Sequence, residues 1–284
     1  MHASTVRTLL VRGMIAGVVA GLFAFALAYV VGEPSVRDSI ALEETQSAPA
    51  HEHGAAAPAG SSAGSSAGSS AGEASAADEE EELVSRPVQS TFGLATGVLV
   101  YGVALGGIAS LVFSVSLGRI GRFGPRATAA LIAGAAFVTV YLVPFLKYPA
   151  TPPAVGNPDT IGRRTTLFFL MILLSVLLAV IAVIAGRRLA PRLGNWNASA
   201  VAGAGYVVVV AVACLVLPAN TDAVRETFPA ALLWEFRLAS LGVQALLWTA
   251  FGLIFGALAE RVLHPRSATA AAAGGASSPV GTTG

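Results

Sequence analysis

The sequence predicts an all-α membrane protein with six transmembrane helices in three hairpins, both termini cytoplasmic, and a long low-complexity first outer loop. Three observations lead there. Hydrophobic residues fill 55% of the 284 positions and charged residues only 12%, about half the charge of a soluble domain. Apolar runs approach or exceed the ~20 residues a helix needs to cross hydrocarbon, and mean hydropathy is +0.72. Finally, arginine is dense in alternate connections and sparse in the others.

The polytopic domain is expected over 1–264, with a disordered cytoplasmic tail at 265–284. Span one is placed at 9–32, after Arg7 and Arg12. Its run "GMIAGVVAGLFAFALAYVVG" exceeds the roughly 7–15-residue core of a signal peptide, and no small-residue cleavage site follows, so it reads as a retained anchor. Gly13, Gly17 and Gly21 form a ridge of glycines four apart. Residues 33–90 form the first outer loop, and span two follows at 92–117 with Gly102 and Gly106. Span three, 127–147, leaves the membrane as "LVPFLKYPATPP", which contains the single lysine, Lys147. Span four, 166–186, has no glycine until its inner end and is expected to face lipid. Span five, 199–217, holds the single cysteine, Cys214, so an intramolecular disulfide is impossible and a buried inert thiol is expected. Span six, 238–260, carries Gly252 and Gly256. Small residues four apart let membrane helices approach closely, so spans one, two and six are expected to form the centre. The exit of span five, "LVLPANTDAVRETFP", echoes that of span three. Pro144 to Arg163 and Pro218 to Arg237 are equally spaced, as in a repeated hairpin.

Orientation follows from charge. With the N-terminus inside, Arg7, Arg12, Arg119, Arg122, Arg126, Arg187, Arg188, Arg192, Arg261 and Arg266 lie in short inner segments. The longer outer segments hold Arg37, Arg86, Lys147, Arg163, Arg164, Arg225 and Arg237, so basic density is higher inside. Of the acids only Glu260 falls inside.

The first outer loop is mostly small residues. A tether at 55–82 contains "SSAGSSAGSSAG", which cannot bury a core, and ends in Asp78, Glu79, Glu80, Glu81 and Glu82, a run expected to stay solvated. Just before it stands "HEHG", with two of the four histidines of the chain. In an extended segment residues i and i+2 point to one side about 6.6 Å apart, so both imidazoles can converge on one ion. His51, Glu52 and His53 are therefore the candidate metal ligands. Imidazole suits cobalt, nickel, copper and zinc better than magnesium or calcium, and a set this incomplete suits capture and hand-over.

Within the spans there is no histidine, and the sulfur atoms of Met14, Met171 and Cys214 sit on three different helices. Ionisable groups gather at the outer boundary instead, where Glu235 and Arg237 are a candidate pair beside Trp234. Pro144, Pro149, Pro152, Pro153 and Pro218 would expose backbone carbonyls there. An outer vestibule is expected from Lys147, Asn157, Asp159, Asn220, Asp222, Glu226, Glu235 and Arg237. No phosphate loop of the GxxxxGK[ST] type, basic tract or paired acid and base is present, so neither an enzyme nor a nucleic-acid partner is expected.

The opening "LLVRGMIAGVVAGLFAF", the "HEHG", the outer "LKYPATPPAVGNPDTIGRRTTLF" and the closing "LPANTDAVRETFPAALLWEFRLASLGVQALLWTAFGLIFG" together resemble the predicted cobalt transporter subunit family CbtA. The resemblance covers most of 6–262 and implies a multi-pass inner-membrane protein of cobalt uptake, related to cobalamin synthesis. It also implies a small single-span histidine-bearing partner, CbtB, and a ligand role for His51 and His53. The insert at 55–82 departs from the family pattern. The expected function is uptake of a divalent transition-metal ion, cobalt first, with the ion as transported ligand. The alternative is a non-transporting membrane metal sensor or assembly factor using the same loop. Besides the lipid bilayer and the CbtB-like subunit, a second copy of the chain is a candidate partner.

Overall fold

The computed structural model describes residues 3–47, 89–121, 123–152, 160–220, 224 and 228–264. Among these the chain is all helix, with no strand. Helix α1 (Ala3–Leu27) passes through a π-helical turn (Ala28–Gly32) into α2 (Glu33–Ser47), and α3 (Leu94–Ser116) follows a second π-helical turn (Gln89–Gly93). Helix α4 (Pro125–Ala136) continues through a third (Phe137–Leu142) into the short α5 (Val143–Lys147). Then come α6 (Ile161–Val216) and α7 (Ala230–Leu263). Five stretches are long and apolar enough to cross a membrane: Ala3–Leu42, Thr91–Ser116, Pro125–Lys147, Ile161–Val216 and Ala230–Leu263.

The glycine ridges act as backbone-to-backbone seams, and they choose different partners. Gly13 and Gly17 of α1 face Gly102 and Gly106 of α3 so closely that a Cβ on Gly102 would sit 2.5 Å from the Gly17 carbonyl oxygen. Gly252 and Gly256 of α7 instead face α4, where a Cβ at 252 would meet the Ala133 Cβ at 2.8 Å. The centre therefore includes α4 as well as the three helices expected. The reason lies in its sequence, "PRATAALIAGAA": Ala129 and Ala133 are small enough to serve as the other half of a glycine seam. Phe113, Phe251 and Phe255 fill the wider space between seams. Phe113 meets Phe255 edge-on at 5.1 Å and Phe255 stacks on Phe251 at 5.3 Å between centroids, each pair worth about 1 kcal/mol. At the arginine-rich end, Arg12 Nη1 donates to the Leu258 carbonyl at 2.9 Å and Arg126 pairs with Glu260.

Two boundaries differ from expectation. The chain does not become loop at residue 33; it stays helical to Ser47. Glu33 and Arg37, one turn apart, pair at 3.5 Å, Ser39 donates to the Ser35 carbonyl at 2.6 Å, and the helix packs against α7. The remainder of the loop, with the "HEHG" motif and the tether at 55–82, and the tail at 265–284 lie outside the described residues.

The inner connection expected between spans four and five is also helical, interrupted at Gly194, where φ 76° and ψ 161° break the ladder of α6. On either side the halves lie alongside each other. Ser175 Oγ and Tyr206 Oη share a hydrogen bond of 2.8 Å, and a Cβ on Gly186 would meet the Ala202 Cβ at 3.2 Å. Much of α6 shows its apolar side chains outward, Phe169, Leu173, Leu177 and Ile181 among them, as the glycine-free sequence led one to expect of span four. It joins the rest through a second, smaller core of Val143, Tyr148, Met171 and Val210.

Candidate ion-entry site

The proline-rich end of the molecule is built by two chain reversals, from α5 to α6 and from α6 to α7, tied together through carbonyl groups. Helix α5 stops at Lys147 because Tyr148 leaves helical geometry (φ −127°, ψ 75°), its N–H still donating to the Pro144 carbonyl at 2.7 Å. The Tyr148 side chain turns inward and is buried, and its hydroxyl donates to the Pro218 carbonyl at 2.9 Å, joining the exit of α5 to the exit of α6. Burial pushes the Tyr148 phenol up, helped by Cys214 and opposed by Arg163, so it remains a protonated donor across the physiological range. From α7, Arg237 Nε donates to the Ala150 carbonyl at 3.3 Å. Removing only the hydroxyl, Tyr148→Phe, orphans the Pro218 carbonyl. We expect a loss of about 1 kcal/mol, read as a thermal midpoint lower by about 2–4 °C for purified protein in detergent.

These ties frame a cavity of about 480 Å³. Tyr141, Phe145 and Tyr148 line one side, Arg164 and Phe168 of α6 another, and Asn220 closes part of the rim, with the Pro149–Thr151 segment between. Its surface is mostly aromatic. The polar groups it offers are hydroxyls, an amide and one guanidinium, and no carboxylate lines it among the described residues.

Of the vestibule residues expected from sequence, Asn220 lines the cavity and Arg237 holds its Ala150 wall. Lys147 is half-buried at the rim, its ammonium 5.8 Å from the Tyr148 ring centroid, within cation–π range. Glu235 is exposed and does not pair with Arg237: two positions apart on α7, the side chains leave the helix on opposite sides. Asn157, Asp159, Asp222, Glu226 and the three motif residues His51, Glu52 and His53 lie outside the described residues.

Two features escaped sequence reasoning. One is Glu33, only 7% exposed, a carboxylate buried at the junction of α1 and α2. The other is a pair of neutral polar atoms among the helices, Tyr141 Oη and Gln244 Oε1, each sealed from solvent and without a hydrogen-bond partner. A signal was present: Gln244 is the one amide side chain within the six stretches drawn as spans. A search for charge, imidazole and sulfur passes over it.

No curated protein and no solved structure matches the chain. The family described as probable cobalt transporter subunit, CbtA, matches residues 6–260, nearly the whole described fold and the first outer loop with it. An all-helical chain with five stretches fit to cross a membrane, closed by glycine seams and opening at its proline-rich end, thus belongs to the CbtA family of cobalt transporter subunits.

Proposed function

We propose that the chain is a six-pass inner-membrane subunit of a cobalt uptake system, with both termini in the cytoplasm. In this reading His51, Glu52 and His53 capture the ion outside and release it into the cavity beneath. The observation that carries it is the cavity between the exits of α5 and α6, open at the end away from the arginine-rich turns, in a chain of a transporter-subunit family. Six passes are supported by α6. At 1.5 Å per residue its 56 residues would reach about 84 Å unbroken, far beyond a hydrocarbon core of about 30 Å. The reversal at Gly194 divides it into two lengths that each fit. Histidine capture supplies the preference for a transition metal, since the cavity's aromatic and amide groups do not discriminate by softness. Asn220, Lys147 and Arg237 frame the entry, with Asn157, Asp159, Asp222 and Glu226 in the two connections beside them in sequence and Glu235 near the start of α7. A CbtB-like single-span subunit is the proposed partner.

Uptake of radioactive cobalt by cells tests this. Deleting the gene should abolish saturable uptake, and His51→Ala/His53→Ala should lower it about tenfold at low cobalt, the equivalent of about 1.4 kcal/mol in capture. Uptake unchanged on deletion would leave the protein as a non-transporting sensor or assembly factor. Uptake lost on deletion but untouched by the double alanine change would remove the capture role of the loop alone.

A further inference from the structure

The first limb of α6 is longer than a membrane core is thick. Residues 161–193, from the cavity wall to the break at Gly194, make about 50 Å of helix against about 30 Å of hydrocarbon. The apolar run stops at Gly186, and the turns beyond it read "RRLAPRLGNWN". Arg187, Arg188 and Arg192 are all exposed there, as are Leu193 and Trp196, the indole at 84%. Arg188 and Arg192 stand one turn apart on one face of the helix, with Arg187 beside them.

The protein offers these three arginines nothing to bind. Arg12 donates to the Leu258 carbonyl, Arg119 donates to the Val115 carbonyl and Arg126 pairs with Glu260. Arg187, Arg188 and Arg192 have no hydrogen bond or ion pair among the described residues. Nor does their own helix balance them, for residues 160–221 hold five arginines and no aspartate or glutamate. A positive patch of this kind calls for an anion from outside the chain.

The indole narrows the choice. A soluble anion would satisfy the guanidinium groups and leave the rings of Trp196 and the side chain of Leu193 bare to water. Tryptophan belongs in the headgroup layer, where its apolar body is covered and its N–H stays among polar groups. A phospholipid answers both needs, with phosphate for the arginines and upper acyl carbons for the indole. We propose that the tip of the α6 reversal docks on anionic phospholipid headgroups through Arg187, Arg188, Arg192 and Trp196. Guanidinium forks take phosphate oxygens two at a time by charge-assisted hydrogen bonds. A zwitterionic lipid carries the same phosphate beside its own cation, so net negative charge is what the patch selects. The docking stands independently of the transport reading. It gives α6, which meets the other helices through a small core, a second attachment in the lipid.

Trp196 reads the site. The full-length chain is placed in phosphatidylcholine nanodiscs holding a small fixed share of lipid brominated near the head of its acyl chains, either phosphatidylglycerol or phosphatidylcholine. Bromine quenches an indole in contact, and the Trp196 signal is the quenching present in the wild type and absent from Trp196→Phe. Brominated phosphatidylglycerol should reach a given quenching at about fivefold lower share than brominated phosphatidylcholine. The preference should vanish in Arg187→Gln/Arg188→Gln/Arg192→Gln and shrink as salt rises. Arg187→Lys/Arg188→Lys/Arg192→Lys, which keeps the charge, should retain it. Equal quenching by the two lipids in the wild type would overturn the proposal and give the patch to an acidic protein segment. Loss of the preference to millimolar inorganic phosphate at constant ionic strength would overturn it in favour of a soluble anion. A preference untouched by the triple glutamine change would remove the three arginines from the site.

Discussion

Gly17→Val is expected to leave no folded protein. At this position α1 and α3 are in backbone contact: the Gly102 carbonyl oxygen occupies the place of any added Cβ, with its carbon at 2.8 Å. A flexible side chain could step aside, but a carbonyl in mid-helix cannot. The helices must part along the seam, loosening Gly13 against Gly106 and the packing of Ala16 and Ala20. Overpacking a rigid site costs about 3 kcal/mol or more, a large share of the stability of any domain. Gly97→Val on α3 is the control, because a Cβ there meets nothing within 4 Å. We expect Gly97→Val to elute from detergent extracts as the wild type does, and Gly17→Val to be lost to aggregation or proteolysis. Equal recovery of the two would show that the seam does not carry the fold.

Gly194→Val should be nearly as damaging, by another route. The combination of φ 76° and ψ 161° belongs to a region essentially reserved for glycine, and a branched side chain pays about 1–3 kcal/mol to stay there. The easier response is to return to helical angles, which would straighten the reversal and separate Ser175 from Tyr206 and Gly186 from Ala202. Cysteine labelling reads the outcome. In a Cys214→Ala chain, a cysteine placed at Ser175 and another at Tyr206 should cross-link with Gly194 intact and fail to do so with valine.

The periodic features of this fold were legible in the sequence because membrane packing is written in small residues. Glycines four apart marked the seams on α1, α3 and α7, and the glycine-free run of α6 marked its outward face. Partner choice was not legible. That Gly252 meets Ala133 depends on where α4 is carried by its turns, and alanine in a composition this rich in it gives no warning. The continuation of α1 into α2 was hidden because polar residues after an apolar run resemble a loop until Glu33 and Arg37 are seen one turn apart. At the candidate site, Asn220 and Arg237 were visible as polar groups beside prolines. The aromatic walls were not, since nothing in the sequence sets Tyr141, Phe145 and Phe168 apart from the other rings of an apolar run. Glu235 and Arg237 looked like partners only because they are close in number.

Among the described residues, the modest second core of Val143, Tyr148, Met171 and Val210 is where α6 joins the remaining helices. Packing around α6 is light, while the helices beside it meet backbone to backbone at the glycine seams. Phe145 and Tyr148 stand on one side of the chamber and Arg164 and Phe168 of α6 on the other, so its width is set where the lightly packed part meets the tightly packed one, apart from the phenylalanines of the central stack. Rocking of one bundle against another is how alternating access is commonly achieved, and a chain packed tightly in one part and lightly in another has the division that such rocking needs.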